Sequence, residues 1–476
     1  MYTDHTYQDW EAAAEADRRK MLQDIVNKYK GSEEFKLMLD ANEYFRGNNT
    51  AVGSKVLLKP VAVTSTDKKT GAACKRTQLK EIVGNRVRSN FLFRFITQQN
   101  QHLLSNGVTL GKPADKERLG MGFDKALEQA GERALLHGVC WLYWNNDHVE
   151  VLPACTDALS GCVALLDERS GSPAVVVQFW QLDGERPLYV RLFELDGVTE
   201  YQQQDNDLTE IAPKRAYKLT VSRDAAGEQI ISAENYARLP VVPLYASAEK
   251  RSELTPSIKS KIDLYDHILS DFGDNLDKAN DVYWVLNNYG GTMDEIAEMI
   301  EQIEQLRAVV NISDGAGSSS TASPMAFEVP YEARRTALDM LEQALYGDFM
   351  ALDMDALTGG SLTNVAIKAA EKNLNLKCDR YEWQVFSTVQ QLLALIGVET
   401  EQIRFKRQEL VNESELIQNI VAMREDIDHE TALKLNPYIM DEEIEKIMDN
   451  VDAAKLSGLS SVDAVNRARE RMRVDE

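Results

Sequence analysis

The 476-residue sequence has little sulfur chemistry to offer. Its five cysteines (Cys74, Cys140, Cys155, Cys162, Cys378) are odd in number and show no C-x-x-C spacing. This gives no sign of a disulfide framework or a zinc pattern, so all five are read as reduced thiols in a cytosolic compartment, with the close pair Cys155 and Cys162 as small buried residues. Long apolar runs are missing too. No stretch approaches the ~20 apolar residues that cross a bilayer, and the opening MYTDHTYQDWEAAAEADRRK carries charge where a signal peptide would be apolar. The chain is therefore expected to stay where it is made, away from membranes.

Basic residues are also in short supply, with 53 Lys and Arg against 76 Asp and Glu and a net charge of -23. Affinity for nucleic acid comes largely from cations that neutralise phosphates, so composition speaks against a protein that grips DNA. A conduit that lets DNA slide would benefit from repelling it, and charge alone does not separate the two cases. Catalytic signatures are absent in turn. Gly47 to Lys55 has the look of a phosphate loop, but its spacing is one residue too long and no Ser or Thr follows Lys55. Asp428, His429 and Glu430 lack the second histidine of a zinc-protease helix, and Asp353 with Asp355 lack the other ligands of a calcium loop. The six histidines form no motif, although a triad can be assembled in space. Neither cofactor nor metal is expected.

What is present is an ordinary globular composition, 44% hydrophobic and 27% charged, in a chain long enough for two to four domains. The first 45 residues read as helices with a break at Gly31. Residues 77–104 carry Ile82, Val83, Val87, Phe91 and Phe95 at near-helical spacing and are expected to be one helix, followed by another over 123–137. Gly138 introduces VCWLYW and HVEVLP, two strands split by Asn145-Asn146-Asp147 as a hairpin. Residues 164–243 read as an antiparallel β-meander. Thr255 and Pro256 form a cap and first-turn pair opening a helix to about Tyr283.

The next segment stands apart. Residues 284–330 hold seven acids (Asp294, Glu295, Glu298, Glu301, Glu304, Asp314, Glu328) and one base, Arg307. A capping box at Thr292 and Glu295 predicts a short helix carrying Ile296, Met299, Ile300 and Ile303, AVVNI a strand, and GAGSSSTASP a mobile tip. Two long helices joined by such a module suggest a stalk with a head, and an inserted surface subdomain is an equal reading. A helix from Pro330 to Met350 and a longer one over 362–396 follow. At ~1.5 Å per residue the latter reaches about 50 Å and must be kinked or lie along something large. The remaining residues look helical and acidic.

The order of these elements, centred on 255–397, resembles the portal protein family of long-tailed phages. LYDHILSDFGDNLDKANDVYWVLNNYGG is similar to the family's first stem helix and its exit into the clip, VPYEARRTALDMLEQALY to the returning stem helix, and ALTGGSLTNVAIKAAEKNLNLKCDRYE to the tunnel loop and long tunnel helix. The stretch GDFMALDMDALTGG departs from relatives that are richer in glycine there. The resemblance implies an α+β, mainly helical portal fold: wing over 1–254, first stem helix 255–283, clip 284–330, second stem helix 331–350, tunnel loop 351–361, tunnel helix and wing 362–397, and wing end with a helical crown over 398–476. It implies a closed homo-oligomeric ring, typically a dodecamer, at one capsid vertex of the virion, assembled in the bacterial cytoplasm. Double-stranded DNA would pass through it during packaging and ejection. Terminase large subunit, head-tail adaptor, major capsid and scaffolding proteins would be its partners, and it would have no enzymatic activity of its own.

On that resemblance Asp294, Glu295, Glu298, Glu301, Glu304 and Arg307 would meet partners in the clip. Asp353, Asp355, Thr358, Ser361, Asn364, Lys368 and Lys372 would face the tunnel, where acids repeated around the ring repel phosphate. Lys368 and Lys372, one turn apart, would supply weak phosphate contacts, or else form an exposed helix face paired with Glu371. Two alternatives stand beside this: another ring-forming virion or neck component, which is usually far shorter, and a phage nucleic-acid-processing enzyme, which would show carboxylates gathered around a metal.

Overall fold

The computed structural model describes residues 5–53, 55–66, 73–204, 207–223, 229–279, 283–287, 321–325, 330–354, 363–399, 402–408 and 413–423, with the single residues 431 and 448. Helices α1 (Tyr7–Ala12), α2 (Glu15–Gly31) and α3 (Glu33–Phe45) open the chain. Thr6 and Asp9 form a reciprocal capping box at α1, and Ser32 caps α3 by accepting from Phe35 N. Leu22, Ile25, Val26 and Tyr29 make the buried stripe of α2.

The single helix expected over 77–104 is not formed. Strand β1 (Val56–Thr66) pairs antiparallel with β2 (Ala73–Val83) through an unbroken register from Val56↔Val83 to Thr66↔Ala73, and helix α4 begins only at Phe91 and ends at Leu104. The apolar residues at 82, 83 and 87 fit a helical period but belong to a strand and to an extended connector, where Val87 is exposed. That connector's amides bind side chains of a distant helix, as described below.

Strand β3 (Val108–Leu110), helix α5 (Pro113–Glu117) and helix α6 (Phe123–His137) follow. Gly138 ends α6 in the left-handed region at φ 86, and a Cβ there would stand 2.6 Å from the Lys250 carbonyl, so both conformation and space call for glycine. Strands β4 (Val139–Asn145) and β5 (His148–Pro153) form the expected hairpin, with Asn146 in the left-handed region.

The meander differs from expectation at both ends. It starts earlier, as β6 (Cys155–Asp157), β7 (Ser160–Leu166), β8 (Pro173–Trp180), β9 (Tyr189–Glu194), β10 (Gly197–Gln204) and β11 (Asp207–Arg215), one six-stranded antiparallel sheet in chain order. Strands β12 (Lys218–Arg223) and β13 (Gln229–Glu234) form a separate hairpin, and β14 (Val241–Tyr245) pairs with β4 to give the sheet β14-β4-β5. Residues 241–244 are all buried, and a strand covered on both faces belongs between layers, not at the solvated end of a meander.

Helix α7 (Pro256–Ala279), strand β15 (Tyr283–Asn287), strand β16 (Thr321–Met325), helix α8 (Tyr331–Phe349), helix α9 (Asn364–Leu395), strand β17 (Ile403–Phe405) and helix α10 (Glu413–Ala422) complete the described chain. Where only helix was expected after 398, β17 returns to pair with β3, Ile403 opposite Leu110. The helix and strand expected within 288–312 and the first six residues of the expected tip, 315–320, lie outside the described residues, whereas the tip's last four residues, 321–324, are not a mobile tip but part of β16, paired with β15. One hydrophobic core joins α2, α3, α4, α6, the two larger sheets and the second half of α9. Cys140, Cys155, Cys162 and Cys378 are free and buried. No described helix is long and apolar enough to cross a membrane.

Candidate functional site

Helices α7 and α8 run antiparallel. Thr255 caps α7 by accepting from Ile258 N at 3.3 Å, and Pro256 supplies a first turn that needs no amide partner. At this end Ser257 Oγ donates to Asp348 Oδ2 at 2.9 Å and Lys261 pairs with the same carboxylate, which lies near the end of α8. At the other end Phe272 packs on Tyr331, the first residue of α8, with ring centroids 5.8 Å apart. Strands β15 and β16 then pair antiparallel from Tyr283↔Met325 to Asn287↔Thr321, so the chain departs from the helix pair and returns to it side by side.

A second face of α7 carries a ladder of acceptors. Ser89 N donates to Asp266 Oδ1 at 2.8 Å, Val87 N to Ser270 Oγ at 3.0 Å and Asn85 N to Asp274 Oδ1 at 2.7 Å. Two residues of extended chain rise about 6.6 Å and four of helix about 6 Å, so alternate amides of the connector match one helical stripe in antiparallel order. Asp266 and Ser270 are fully buried. Burial raises the Asp266 carboxyl, an effect that bonds from Asn49 and Ser89 oppose. Burial acts on Asp274 in the same direction, but its bonds from Lys55 and Asn85 prevail and hold it below the usual range. Lys55 Nζ lies 2.6 Å from Asp274 and 2.8 Å from Asp271, which gives this lysine of the rejected phosphate loop a structural occupation. Tyr44 and Lys259 add bonds from α3 to Asp263 and from α7 to Asp40.

The long helix α9 is capped by Thr363, whose Oγ1 accepts from Ala366 N at 3.3 Å. Its middle is locked to the α7–α8 pair by Lys377, which donates to the Phe349 carbonyl at 2.9 Å, pairs with Glu253 at 2.7 Å and lies over the Phe349 ring. Burial lowers the pKa of this ammonium, against the pull of Glu253. On the opposite face, Lys368 and Lys372 are exposed and flank a shallow concavity of about 340 Å³ lined also by Glu371, Asn375, Leu376 and Asp379. Glu371, between the two lysines in sequence, is itself buried.

Of the expected tunnel residues, the structure places Asn364, Lys368 and Lys372 together on the first turns of α9, and Asp353 half-buried just beyond α8. Asp355, Thr358 and Ser361, and all six expected clip residues (Asp294, Glu295, Glu298, Glu301, Glu304 and Arg307), lie outside the described residues, as do Asp428, His429 and Glu430. Among the described residues no group of His, Cys, Asp and Glu could hold a metal ion. The ladder of Asp266, Ser270 and Asp274 was not anticipated, although its i, i+4, i+8 spacing of short polar residues within an otherwise apolar stripe was there to be read.

Residues 26–455 match a family model described as phage portal protein, SPP1 Gp6-like. The chain is 25% identical to the portal protein of Clostridium phage phiCD119 over 336 residues, 66% of this chain and 71% of that one. It is 25% identical to the portal protein of Bacillus phage SPP1 over 232 residues, 45% of this chain and 44% of the other. A solved neck of an empty GTA particle, computed with C6 symmetry, covers 78% of this chain and 90% of that one at 13% identity, with a TM-score of 0.40.

Proposed function

Because the chain belongs to the SPP1 Gp6-like family of phage portal proteins, we propose that it forms the ring at one vertex of a phage capsid through which double-stranded DNA enters during packaging and leaves during ejection. The family role is that of a structural connector, and the chemistry of packaging falls to a separate ATP-hydrolysing terminase. In this reading α7 and α8 are the two stem helices, residues 284–330 the clip, α9 the tunnel helix, and the N-terminal helices with the two larger sheets the wing. Residues 398–476 form the wing end and the crown.

The observation that carries the reading is the antiparallel α7–α8 pair whose far ends are bridged by the β15–β16 ladder. On this reading the acidic segment would stand at the tip of a two-helix stalk, available to terminase and later to the head-tail adaptor. A heterologous contact repeated about an axis closes such subunits into a ring, for which twelve copies are proposed. The exposed lysines Lys368 and Lys372 would then repeat around the channel and touch passing phosphates, beside Asp353, Asp355, Thr358, Ser361 and Asn364. Negative-stain imaging and sedimentation of the purified protein test this. Rings with an axial hole are expected, whereas a monomer or dimer across a wide range of concentration, salt and added scaffolding protein would refute it.

A further inference from the structure

One segment runs against the charge of the whole chain. Residues 56–83 hold six bases (Lys59, Lys68, Lys69, Lys75, Arg76, Lys80) and two acids, Asp67 and Glu81, a net of +4 in a chain of net -23. The backbone forms a β1–β2 hairpin of eleven paired positions, with Lys59 and Lys80 as register partners. Strands of eleven residues span about 36 Å. Among the described residues no third strand joins them, and a lone hairpin is at best marginally stable in water. At its base Val56 is 48% and Val83 69% exposed, so the hairpin leaves the body of its own chain with apolar residues uncovered.

Its root, by contrast, is firmly held. Lys55 pairs with Asp271 and Asp274, and the amides of residues 85, 87 and 89 bind the α7 ladder. Among the described exposed side chains of α7 and α8, acids outnumber bases, Asp271, Asp277, Glu332, Asp339 and Asp348 against Arg335, with Asp271 and Asp348 held by Lys55 and Lys261. Exposed on them are Leu264, Leu276, Tyr331 and Met340, large apolar residues more usual in an interface than on a free helix. A basic, partly apolar hairpin and an acidic, partly apolar helix pair are complementary.

We infer that the β1–β2 hairpin is an intersubunit arm that docks on the exposed acidic face of the α7–α8 pair of a neighbouring copy. The inference rests on the ring reading above and names the surfaces that join one subunit to the next. Since arm and receptor are different patches of one chain, the contact is heterologous, as ring closure requires. The ladder sets the angle at which the arm departs and so ties the position of one subunit's α7 to that of the next.

Charge exchange tests it. In one variant Lys59, Arg76 and Lys80 become Glu; in a second, Glu332 and Asp339 become Lys; a third combines both sets. Oligomers are followed by sedimentation and mass photometry from 50 to 500 mM salt. Each single-patch variant should require at least about tenfold more protein to assemble, with the effect shrinking as salt rises. Mixing the two single-patch variants should restore rings, because each reversed surface then meets a complementary one on the other variant. The combined variant should restore them alone, and this also shows that the substituted chain folds. Rescue in the combined variant but not on mixing would mean a contact within one chain and would overturn the inference. Unchanged assembly of both single-patch variants, with wild-type rings present, would overturn it and leave the ring reading intact. Loss of duplex DNA binding in the arm variant with assembly unchanged would assign the arm to phosphate instead. Absence of wild-type rings in every condition would remove both readings.

Discussion

His137 sits at the end of α6, buried, with its Nε2 2.9 Å from Asn42 Oδ1. The Asn42 amide nitrogen points at the Cys155 carbonyl, so its oxygen accepts from the imidazole, which carries a proton on Nε2. Burial, reinforced by Arg133, pushes its pKa down to about 3. The folded state thus binds fewer protons than the unfolded state below pH ~6.5, and stability falls with acid by about 1.4 kcal/mol per pH unit from this group alone. His137→Gln should lower stability at pH 7 yet flatten the loss between pH 6.5 and 4.5. Urea midpoints at fixed protein concentration report this, and parallel curves for both proteins would remove His137 from the acid response. Lys377 makes a second residue-scale case. Its ammonium is 13% exposed against a Glu253 carboxylate 19% exposed, and removing one partner of such a pair strands the other, so Lys377→Ala should cost about 3 kcal/mol in the same measurement.

At the scale of elements, the connector between β2 and α4 shows where sequence patterning fails. Val83, Val87, Phe91 and Phe95 recur every four residues, and nothing local to them distinguishes a helix from an extended strap. What decides is the set Asp266, Ser270 and Asp274, nearly two hundred residues later, which takes the amides a helix would have satisfied itself. Long helices with their own caps were legible: Thr255-Pro256 and the stripe of α9 lead to elements within a few residues of expectation. Strand partners were not, since β14 pairs with β4 and β17 with β3 across long separations that no local period encodes. The expected tunnel lysines could be placed on α9 from their spacing alone, while the buried state of Glu371 beside them depends on packing. The ladder also yields an expectation. Asp274→Ala leaves Lys55 with only the half-exposed Asp271 and orphans the Asn85 amide, a loss of about 3 kcal/mol. Asp274→Asn keeps an acceptor for the amide and should lose less. Hydrogen exchange at Asn85 should speed up in the alanine variant and stay slow in the asparagine one; equal protection in all three proteins would show the strap held by other contacts.

For the whole molecule, the decisive question is whether the acidic segment between α7 and α8 is a replaceable head or part of the fold. Its ends enter and leave through the paired strands β15 and β16, anchored against a helix pair tied at both ends by Asp348 and by Phe272 with Tyr331. A module closed off in this way can be altered without cutting the core, because the remainder already has its own closure. Its charge argues for the proposed binding role: seven acids against one base give a net near -6 per subunit, and repetition around the proposed ring would multiply this into a field that steers a basic partner and weakens with salt. Two separate changes divide the claim. Replacing residues 313–320, which leaves the paired strands β15 and β16 intact, with an unrelated flexible linker should leave folded, ring-forming protein. Reversing Glu298 and Glu301 to Lys should leave rings intact while terminase or adaptor binding falls by tenfold or more at low salt, and the gap to wild type should close as salt rises. If the linker chimera is insoluble, the segment is part of the fold and not a replaceable head. If the reversed variant binds both partners as tightly as wild type at 50 mM salt, the recognition does not run through these charges. Lys368→Ala with Lys372→Ala supplies the complementary measurement at the channel: rings should form as in wild type while packaged DNA per head changes, and unaltered packaging would return both lysines to an exposed helix face without a role in transport.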